Sequence, residues 1–246
     1  MKFTDWFKEF IEEYDWESLY DTESSSYFTD IATDLEYWKT HLHILRNSNF
    51  DDLPLDAKIL DIGTWFGIFP FALKQYGFTN VECSDRMTES DFKRSSFDKL
   101  WNTFNITPFN LDINPGESFS IGKKYDLITV FESNIFWKTK DVVSYDGENV
   151  STNKWQVIDK DDTVITFFAP FKLNELKIFN DSIKNSLLPG GIALIHFRPW
   201  IYDLDGFEKE NLYINRNFRN KKYYNKPNFE FAKHTNYYVI ENDHET

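Results

Sequence analysis

The sequence predicts an α/β fold in which a doubly wound, mostly parallel sheet carries a helical N-terminal cap and a C-terminal antiparallel hairpin. Two observations support this prediction. Short apolar runs typical of buried strands alternate along the chain with segments whose apolar residues recur at helical spacing. Ahead of this alternation, residues 1 to about 50 have only the helical spacing. Parallel strands need long crossover connections, usually helices, so the alternation favours one sheet with helices on both faces.

The N-terminal segment is predicted to be helical. Apolar residues recur at steps of three or four in residues 6–14 and again in residues 31–45, with acidic residues between them. The polar stretch 21–26 separates the two patterns. We therefore expect a cap of separate helices ahead of the sheet.

Strands and helices then follow one another in the sequence. The predicted strands are residues 58–62, 81–84, 125–131 and 192–197, and the predicted helices are residues 68–76, 93–104 and 173–188. Gly77 ends the first of these helices, and Pro189-Gly190-Gly191 closes the last. Three strand-like patches follow, at residues 211–214, 229–232 and 237–240. No long helix separates the last two patches, so we predict that they form the terminal hairpin.

Residues 138–170 do not fit the alternation, because they are too many for an ordinary connection. They contain an Asp146-Gly147 turn signal between valine-rich runs, and we interpret them as an inserted hairpin or a substrate-facing loop. We predict one domain over residues 1–246. Within it, residues 1–53 form the cap, 54–200 the ligand-binding core and 201–246 the terminal strands.

Composition limits the classes of partner. Lys and Arg number 27 against 40 Asp and Glu, which gives a formal net charge of −13. That charge repels phosphate backbones and anionic membranes, so we expect neither a nucleic-acid nor a membrane partner. The single cysteine, Cys83, excludes an internal disulfide and a CxxC site. The N-terminal residues lack a signal-peptide pattern, so the expected location is the cytoplasm.

The turn after the first predicted strand is the first candidate ligand site. Ligands of open parallel sheets lie beyond the carboxyl ends of the strands, near the point where the strand order reverses. This strand ends in Asp61, and Gly63 and Gly67 bracket a tight turn into a helix whose first amides point at a ligand. A dinucleotide site requires a glycine where this chain has Trp65, so the turn disfavours NAD and FAD.

This turn resembles the first motif of class I S-adenosylmethionine-dependent methyltransferases, in which an acidic residue precedes GxxxG. The resemblance continues in order: Asp85 ends the second predicted strand, Asp112 follows within Asn-Leu-Asp-Ile, and the run from Leu187 to Leu194 resembles the family's turn into its fifth strand. The match covers roughly residues 55–200. It implies a sheet of the family's seven-stranded type and S-adenosylmethionine as the cofactor.

The resemblance also implies roles for the acidic residues. Asp85 would take both ribose hydroxyls and Asp112 the adenine amino group, while Asp61 either orients the loop amides or contacts the ligand. Asp85 can instead cap a helix, Asp112 can be a turn residue, and Trp38 can be a core residue of the cap. The residues assigned to the cofactor site in this way are Asp61, Gly63, Thr64, Trp65, Gly67, Asp85, Arg86, Leu111, Asp112, Phe131 and Trp38.

Two residues near predicted strand ends are candidate catalytic bases. Methyl transfer from a sulfonium needs donor and acceptor in line in a dry site, and needs a base only when the acceptor must lose a proton. Glu132 follows the fourth strand, and His196 lies near the end of the fifth. His196 can instead be a hydrogen-bonded core residue, and Glu132 can instead shape the cofactor site. The sequence contains no His, Cys and carboxylate cluster with dependable metal-ligand spacing, so we predict no metal site. A Mg²⁺ ion held by scattered carboxylates stays an open alternative.

The sequence therefore predicts an S-adenosylmethionine-dependent methyltransferase that acts on an oxygen or a nitrogen of a small molecule. Two alternatives stay open. One is a non-catalytic S-adenosylmethionine-binding module of the same fold. The other is a nicotinamide-dependent oxidoreductase, against which Trp65 counts. The sequence predicts neither the identity of the acceptor nor the oligomeric state.

Overall fold

A computed structural model describes residues 1–16, 35–85, 94–113, 116–131, 142–145, 148–153, 156–158, 164–166, 173–197 and 236–242. The helices are α1 (Phe3–Glu13), α2 (Leu35–Asn47), α3 (Ile68–Tyr76), α4 (Arg94–Thr103) and α5 (Leu173–Asn185), with a short 3-10 turn at Phe50–Asp52. The strands are β1 (Lys58–Ile62), β2 (Asn80–Asp85), β3 (Phe109–Asn110), β4 (Tyr125–Phe131), β5 (Val142–Tyr145), β6 (Glu148–Asn153), β7 (Gln156–Ile158), β8 (Val164–Thr166), β9 (Leu187–Phe197) and β10 (Asn236–Glu241). None of the helices in this described part of the chain is both long and apolar enough to cross a membrane.

The large sheet has the order β10-β9-β4-β1-β2-β3. All neighbours in it are parallel except β10, which runs antiparallel to β9. From β1 the chain continues through β2 to β3 on one side, and then returns to β4 and β9 on the other side. The strand order therefore reverses between β1 and β4, which is where ligands bind in open α/β sheets. The predicted doubly wound, mostly parallel α/β fold is confirmed.

The C-terminal strand is antiparallel, as predicted, and its partner in the sheet is β9. Residues 237–240 lie in β10. The predicted hairpin partner, residues 229–232, and the patch at residues 211–214 lie outside the described residues.

Both faces of the sheet are covered. Side chains of a strand alternate between its two faces, and neighbouring apolar residues here belong to two different hydrophobic clusters. Ile59, Leu127 and Leu194 belong to the first cluster, and Leu60, Ile128 and Ile195 to the second. The first cluster includes residues of the N-terminal helices, so the cap covers that face of the sheet.

The N-terminal cap packs through aromatic side chains onto α3. Phe3 and Phe7 of α1 are at most 1% exposed, and their ring centroids lie 6.1 and 6.0 Å from that of Phe69. The carboxylate of Asp51 accepts hydrogen bonds from the backbone N–H and the hydroxyl of Thr4, at 3.1 and 2.9 Å. The two predicted helical patterns correspond to α1 and α2, and the polar stretch between them lies outside the described residues.

The predicted boundary between the last helix and the next strand is wrong. The helix ends at Asn185 instead of residue 188, and the strand starts at Leu187 instead of residue 192. The backbone N–H of Tyr125 donates to the carbonyl of Ser186 at 3.0 Å, and Leu187 pairs with Tyr125 in the sheet. Pairing with β4 thus ends the helix early, and the Pro-Gly-Gly run lies inside β9 beside a register shift. A Cβ at Gly191 would lie 2.7 Å from the carbonyl oxygen of Tyr125, so only glycine fits there.

A second, antiparallel sheet has the order β5-β6-β7-β8. Its four strands lie within residues 138–170, the segment that does not fit the alternation of strands and helices. Val143 pairs with Val150 and Tyr145 with Glu148, so the strands flanking the Asp146-Gly147 dipeptide are hydrogen-bonded neighbours.

Candidate functional site

The loop between β1 and α3 bends three times through the left-handed region. Gly63 has φ 72°, Trp65 has φ 51° and Gly67 has φ 80°. The backbone N–H groups of Gly63 and Thr64 both donate to the carbonyl of Ser84, at 2.8 and 3.1 Å. These bonds tie the loop to the end of β2, at the carboxyl edge of the sheet.

Gly67 combines a left-handed backbone with close neighbours, so a side chain there would be strained and would displace the end of Ile106. A Cβ at this position would lie 2.1 Å from Cδ1 of Ile106 and 3.2 Å from Cδ1 of Trp101. The second glycine of the motif therefore lets the loop approach the segment that follows α4. The sequence predicts the tight turn, whereas this contact emerges only from the fold.

Trp65 is a bulky residue in a backbone conformation that normally favours glycine. Three contacts hold it there. Its N–H donates to Oδ2 of Asp85 at 2.6 Å, its carbonyl accepts a hydrogen bond from Nε1 of Trp101 at 2.8 Å, and its ring stacks on Phe66 with centroids 4.2 Å apart. Strained residues persist where their surroundings fix them in this way, and such residues cluster at functional sites.

Asp85 ends β2 and anchors the loop through the amide of Trp65. Sequence reasoning did not foresee this anchoring role. Asn110 is the neighbour of Asp85 in the sheet, and the N–H of Leu111 donates to the Asp85 carbonyl at 3.1 Å. Leu111 and Asp112 therefore lie next to Asp85 at the end of β3. Leu111 is buried and Asp112 is exposed. The alternative of a helix cap at Asp85 depends on residues from 86 onward, which lie outside the described residues.

Asp61 is a buried carboxyl group at the end of the central strand β1. It is 4% exposed, and its Oδ1 accepts a hydrogen bond from the hydroxyl of Thr129 at 2.7 Å. Burial raises the pKa of Asp61 to about 7, together with the charge on Asp85 and against the lowering effect of the hydrogen bond from Thr129. The carboxyl of Asp61 therefore changes charge near neutral pH.

Thr129 was not among the predicted site residues, although the sequence contained a signal for it. It is a lone hydroxyl in the apolar part of β4, and it pairs with Asp61 in the parallel register. Residues two apart in a strand share a face. Asp61 and Thr129 thus share the face of Ile59 and Leu127, which the N-terminal cap covers.

His196 lies near the end of β9 and contacts a histidine of the cap. Its Nδ1 is 3.2 Å from Nε2 of His41, and both side chains are fully buried. Phe131, the neighbour of His196 in the sheet, has its ring centroid 4.7 Å from that of His41. This geometry favours the core role that the sequence left open for His196. His41 was missed as its partner, although it lies one turn after Trp38 on the buried side of α2.

The structure brings some predicted site residues together and separates others. Four of them form the loop itself: Gly63, Thr64, Trp65 and Gly67. Asp61 lies just before the loop, and Asp85 contacts it, with Leu111 and Asp112 beside Asp85. Trp38 lies instead in the core, 4% exposed, with its ring centroid 5.1 Å from that of Phe7. Arg86 and Glu132 lie outside the described residues. In the described part of the chain, no group of three or more His, Cys, Asp or Glu residues could hold a metal ion.

Two features of this fold indicate what it is similar to. One is the glycine-bounded loop where the strand order reverses, and the other is the antiparallel strand β10 beside β9. The chain resembles class I S-adenosylmethionine-dependent methyltransferases in fold. No protein-family model matches the sequence. A search of curated proteins finds no match either.

Solved structures with a similar fold include the following three. An S-adenosylmethionine-dependent methyltransferase from Clostridium acetobutylicum is 18% identical, over 70% of this chain and 55% of that one, with a TM-score of 0.40. The glycopeptide N-methyltransferase MtfA, complexed with sinefungin, is 14% identical over 65% of this chain and 53% of that one, with a TM-score of 0.38. The fibrillarin pre-rRNA processing protein of Methanococcus jannaschii is 16% identical over 78% of this chain and 70% of that one, with a TM-score of 0.43.

The chain spans little more than half the length of the first two of these proteins, at 55% and 53%. The likeness concerns the arrangement of strands and helices. The chemistry proposed below therefore depends on the residues of this chain.

Proposed function

We propose that this protein is an S-adenosylmethionine-dependent methyltransferase that transfers the methyl group to an oxygen or a nitrogen of a small molecule. One observation carries the proposal. Where the strand order reverses, the loop from Gly63 to Gly67 bends through left-handed conformations and is held against the carboxylate of Asp85. Open parallel sheets bind ligands at this position.

The residues present fit an adenosyl sulfonium ligand better than a diphosphate. Asp61 and Asp85 lie close enough for the charge of one to raise the pKa of the other. Two neighbouring carboxyl groups disfavour an anionic diphosphate and favour a cation. The hydroxyl of Ser84, at the end of β2, is fully buried and has no hydrogen-bond partner in the described part of the chain. Such an orphaned group is a position for a polar atom of a ligand or a water molecule.

Each residue of the proposed site has a role toward the donor, which supplies an electrophilic methyl group when bound. A carboxylate has about four acceptor positions, so Asp85 can accept the Trp65 amide and still take ribose hydroxyls. Leu111 and Asp112, which follow β3 beside Asp85, would hold the adenine. The loop itself would lie along the rest of the donor. Arg86, Phe131 and Trp38 stay predictions for the cofactor site.

The acceptor would enter beside the ends of β4 and β9. Glu132 and His196 stay the candidate bases, needed only for an acceptor that loses a proton. His196 pairs with His41 in the core, so an acceptor reaches it only if the surrounding side chains move. The net charge of −13 supports a small-molecule acceptor over a nucleic acid.

Calorimetric titration with S-adenosylmethionine, S-adenosylhomocysteine and NAD tests the donor site. We expect binding of the first two ligands only. Asp85→Asn keeps an acceptor for the Trp65 amide but removes the charge, and should weaken binding by about 10- to 100-fold, as for loss of charge-assisted hydrogen bonds. Asp126→Asn is the matched control, because Asp126 accepts the Lys58 amide at the opposite edge of the sheet. Unchanged binding by Asp85→Asn would remove Asp85 from the site, and preferential binding of NAD would replace the proposed function.

A transfer assay separates the enzyme from the non-catalytic module. Release of S-adenosylhomocysteine would be measured across a panel of small amines, phenols and carboxylic acids, with tRNA as a contrasting acceptor. We expect turnover with one class of small molecule. Tight donor binding without turnover on the whole panel would identify a binding module, and turnover on tRNA alone would overturn the small-molecule acceptor.

A further inference from the structure

The backbone of Trp65 is held from two sides by groups of different elements. Its N–H donates to Oδ2 of Asp85, at the end of β2, at 2.6 Å, and its carbonyl accepts a hydrogen bond from Nε1 of Trp101, in α4, at 2.8 Å. The N–H precedes the Cα of Trp65 and the carbonyl follows it, so the two bonds orient the peptide planes on both sides of that Cα. Between these planes Trp65 has φ 51°, a conformation that a side chain disfavours. The two bonds therefore act against the conformational preference of the residue itself.

Trp101 is placed firmly enough to act as the fixed end of this arrangement. Its side chain is 6% exposed and belongs to the first hydrophobic cluster. A Cβ built at Gly67 would lie 3.2 Å from Cδ1 of the indole, so the ring lies against the far end of the loop. The N–H of Ile106 donates to the Trp101 carbonyl at 2.9 Å, which ties the segment after α4 to the same residue. One side chain thus contacts the loop both at Trp65 and beside Gly67.

We propose that Trp101 is a positioning residue of the donor site: its indole N–H, acting through the backbone of Trp65, holds the carboxylate of Asp85 in the orientation that takes the ribose hydroxyls. The inference rests on the proposed function, because it concerns the same site. It adds a residue of α4 that acts on the donor only through other residues.

The effect of Trp101 on the donor follows in three steps. Without the indole N–H, the left-handed conformation of Trp65 loses one of its supports, and the backbone there relaxes toward the conformations that a side chain favours. That relaxation turns the Trp65 N–H away from Asp85. A carboxylate that has lost this bond occupies more rotamers and must be ordered again when the ribose hydroxyls bind. Donor affinity therefore falls although no group in contact with the donor has been changed.

Calorimetric titration of Trp101→Phe with S-adenosylmethionine tests the proposal. The variant keeps a buried aromatic ring and removes the N–H, so it should weaken binding about tenfold, the equivalent of one hydrogen bond. Trp16→Phe is the matched control, because Nε1 of Trp16 also donates to a backbone carbonyl, that of Ile11, at 3.0 Å within the same cluster. The control should bind the donor within about twofold of the unaltered protein. Equal weakening in the two variants would show that a general loss of core packing suffices, and would overturn the inference.

A glycine at position 65 separates positioning from packing. Glycine adopts the left-handed conformation readily, so a loop with Trp65→Gly depends less on the indole N–H. Added to Trp65→Gly, Trp101→Phe should therefore weaken donor binding by no more than about twofold relative to Trp65→Gly alone. A loss of about tenfold in this background as well would show that Trp101 acts independently of the Trp65 backbone, and would contradict the proposal.

Nitrogen-15 NMR of the ligand-free protein reads the link between Trp101 and Asp85 without any donor. The Trp65 amide, bonded to a carboxylate, should resonate downfield and exchange slowly with solvent. Trp101→Phe should move this resonance upfield and speed its exchange, whereas Trp16→Phe should leave both unchanged. An unmoved Trp65 amide in Trp101→Phe would overturn the inference, whatever the effect on donor binding.

Hydrogen exchange of the unaltered protein keeps the test independent of these substitutions. Saturation with S-adenosylmethionine, or with S-adenosylhomocysteine, which has the same ribose, should slow exchange of the Trp65 amide and of the Trp101 indole N–H together. Slower exchange of the Trp65 amide alone would contradict the proposed link. Absence of any donor binding by the unaltered protein would instead overturn the proposed function, and this inference with it.

Discussion

At the scale of single residues, the loop after β1 combines a strained residue with a glycine at which a side chain would be both strained and crowded. Left-handed backbone costs a non-glycine residue roughly 1–2 kcal/mol. Trp65 adopts it because its amide, its carbonyl and its ring are each held by a different partner, namely Asp85, Trp101 and Phe66. The amide contact links the loop shape to the same carboxylate that is proposed to hold the ribose.

Substitution of two glycines separates backbone strain from crowding. Gly67 and Gly122 both have positive φ, but a Cβ at Gly122 meets nothing within 4 Å. Gly122→Ala should lower the free energy of unfolding by about 1 kcal/mol, and Gly67→Ala by roughly 1–3 kcal/mol more, measured by urea unfolding. Ile106→Val removes the crowding methyl group and should recover part of that excess. Equal losses in the two glycine variants would show that the contact with Ile106 does not constrain the loop.

The sequence indicates the loop residues but not how they are held. The spacing of Asp61, Gly63 and Gly67 predicts a tight turn after a strand, because each of these residue types has a local conformational preference. Nothing local predicts the left-handed Trp65, since its conformation depends on Asp85 and Trp101, which are 20 and 36 residues away. For the same reason, the pKa of Asp61 could be assigned only once its burial and its neighbours were known.

At the scale of elements, β1, α3 and β4 have the predicted boundaries, because turn residues or a change in periodicity mark their ends in the sequence. The end of α5 does not, since pairing of Leu187 with Tyr125 overrides the helical pattern there. The contact between α2 and β9 is likewise not predictable from the residues near either element in the sequence. Its two histidines, His41 and His196, are 155 residues apart.

A double-mutant cycle measures the link between α2 and β9. His41→Phe keeps an aromatic ring but removes the nitrogen that faces His196, and should lower the free energy of unfolding by about 1–3 kcal/mol. His196→Phe should cost a similar amount. The double variant should lose less than the sum, by at least about 1 kcal/mol, because no buried imidazole is then left facing a phenyl ring. Additive losses in urea unfolding would show that the two rings contribute independently.

At the scale of the whole molecule, the cap is part of the core and not an appendage. Phe3, Phe7 and Ile11 of α1 are at most 1% exposed and belong to the same cluster as Ile59 of the central strand. Burial of each such side chain contributes about 2 kcal/mol, so the three contribute about 6 kcal/mol. A typical domain has only about 5–15 kcal/mol of net stability.

Deletion of residues 1–14 should therefore abolish cooperative folding. We expect loss of the near-ultraviolet circular dichroism of the aromatic cluster and a urea transition without a sharp midpoint. The matched control is Glu9→Gln with Glu12→Gln, two exposed residues on the same helix, which should leave the midpoint nearly unchanged. A deletion variant that unfolds cooperatively at the original midpoint would show that the sheet and its remaining helices are stable without α1.

The distance along the chain between His41 and His196 also bears on how the protein forms on the ribosome. At about 5–20 residues per second, the 155 residues between them take roughly 8–30 s to synthesise. Throughout that interval the newly made α2 lacks the strand whose histidine it contacts. The buried contact between His41 and His196 therefore forms only after β9 has been translated.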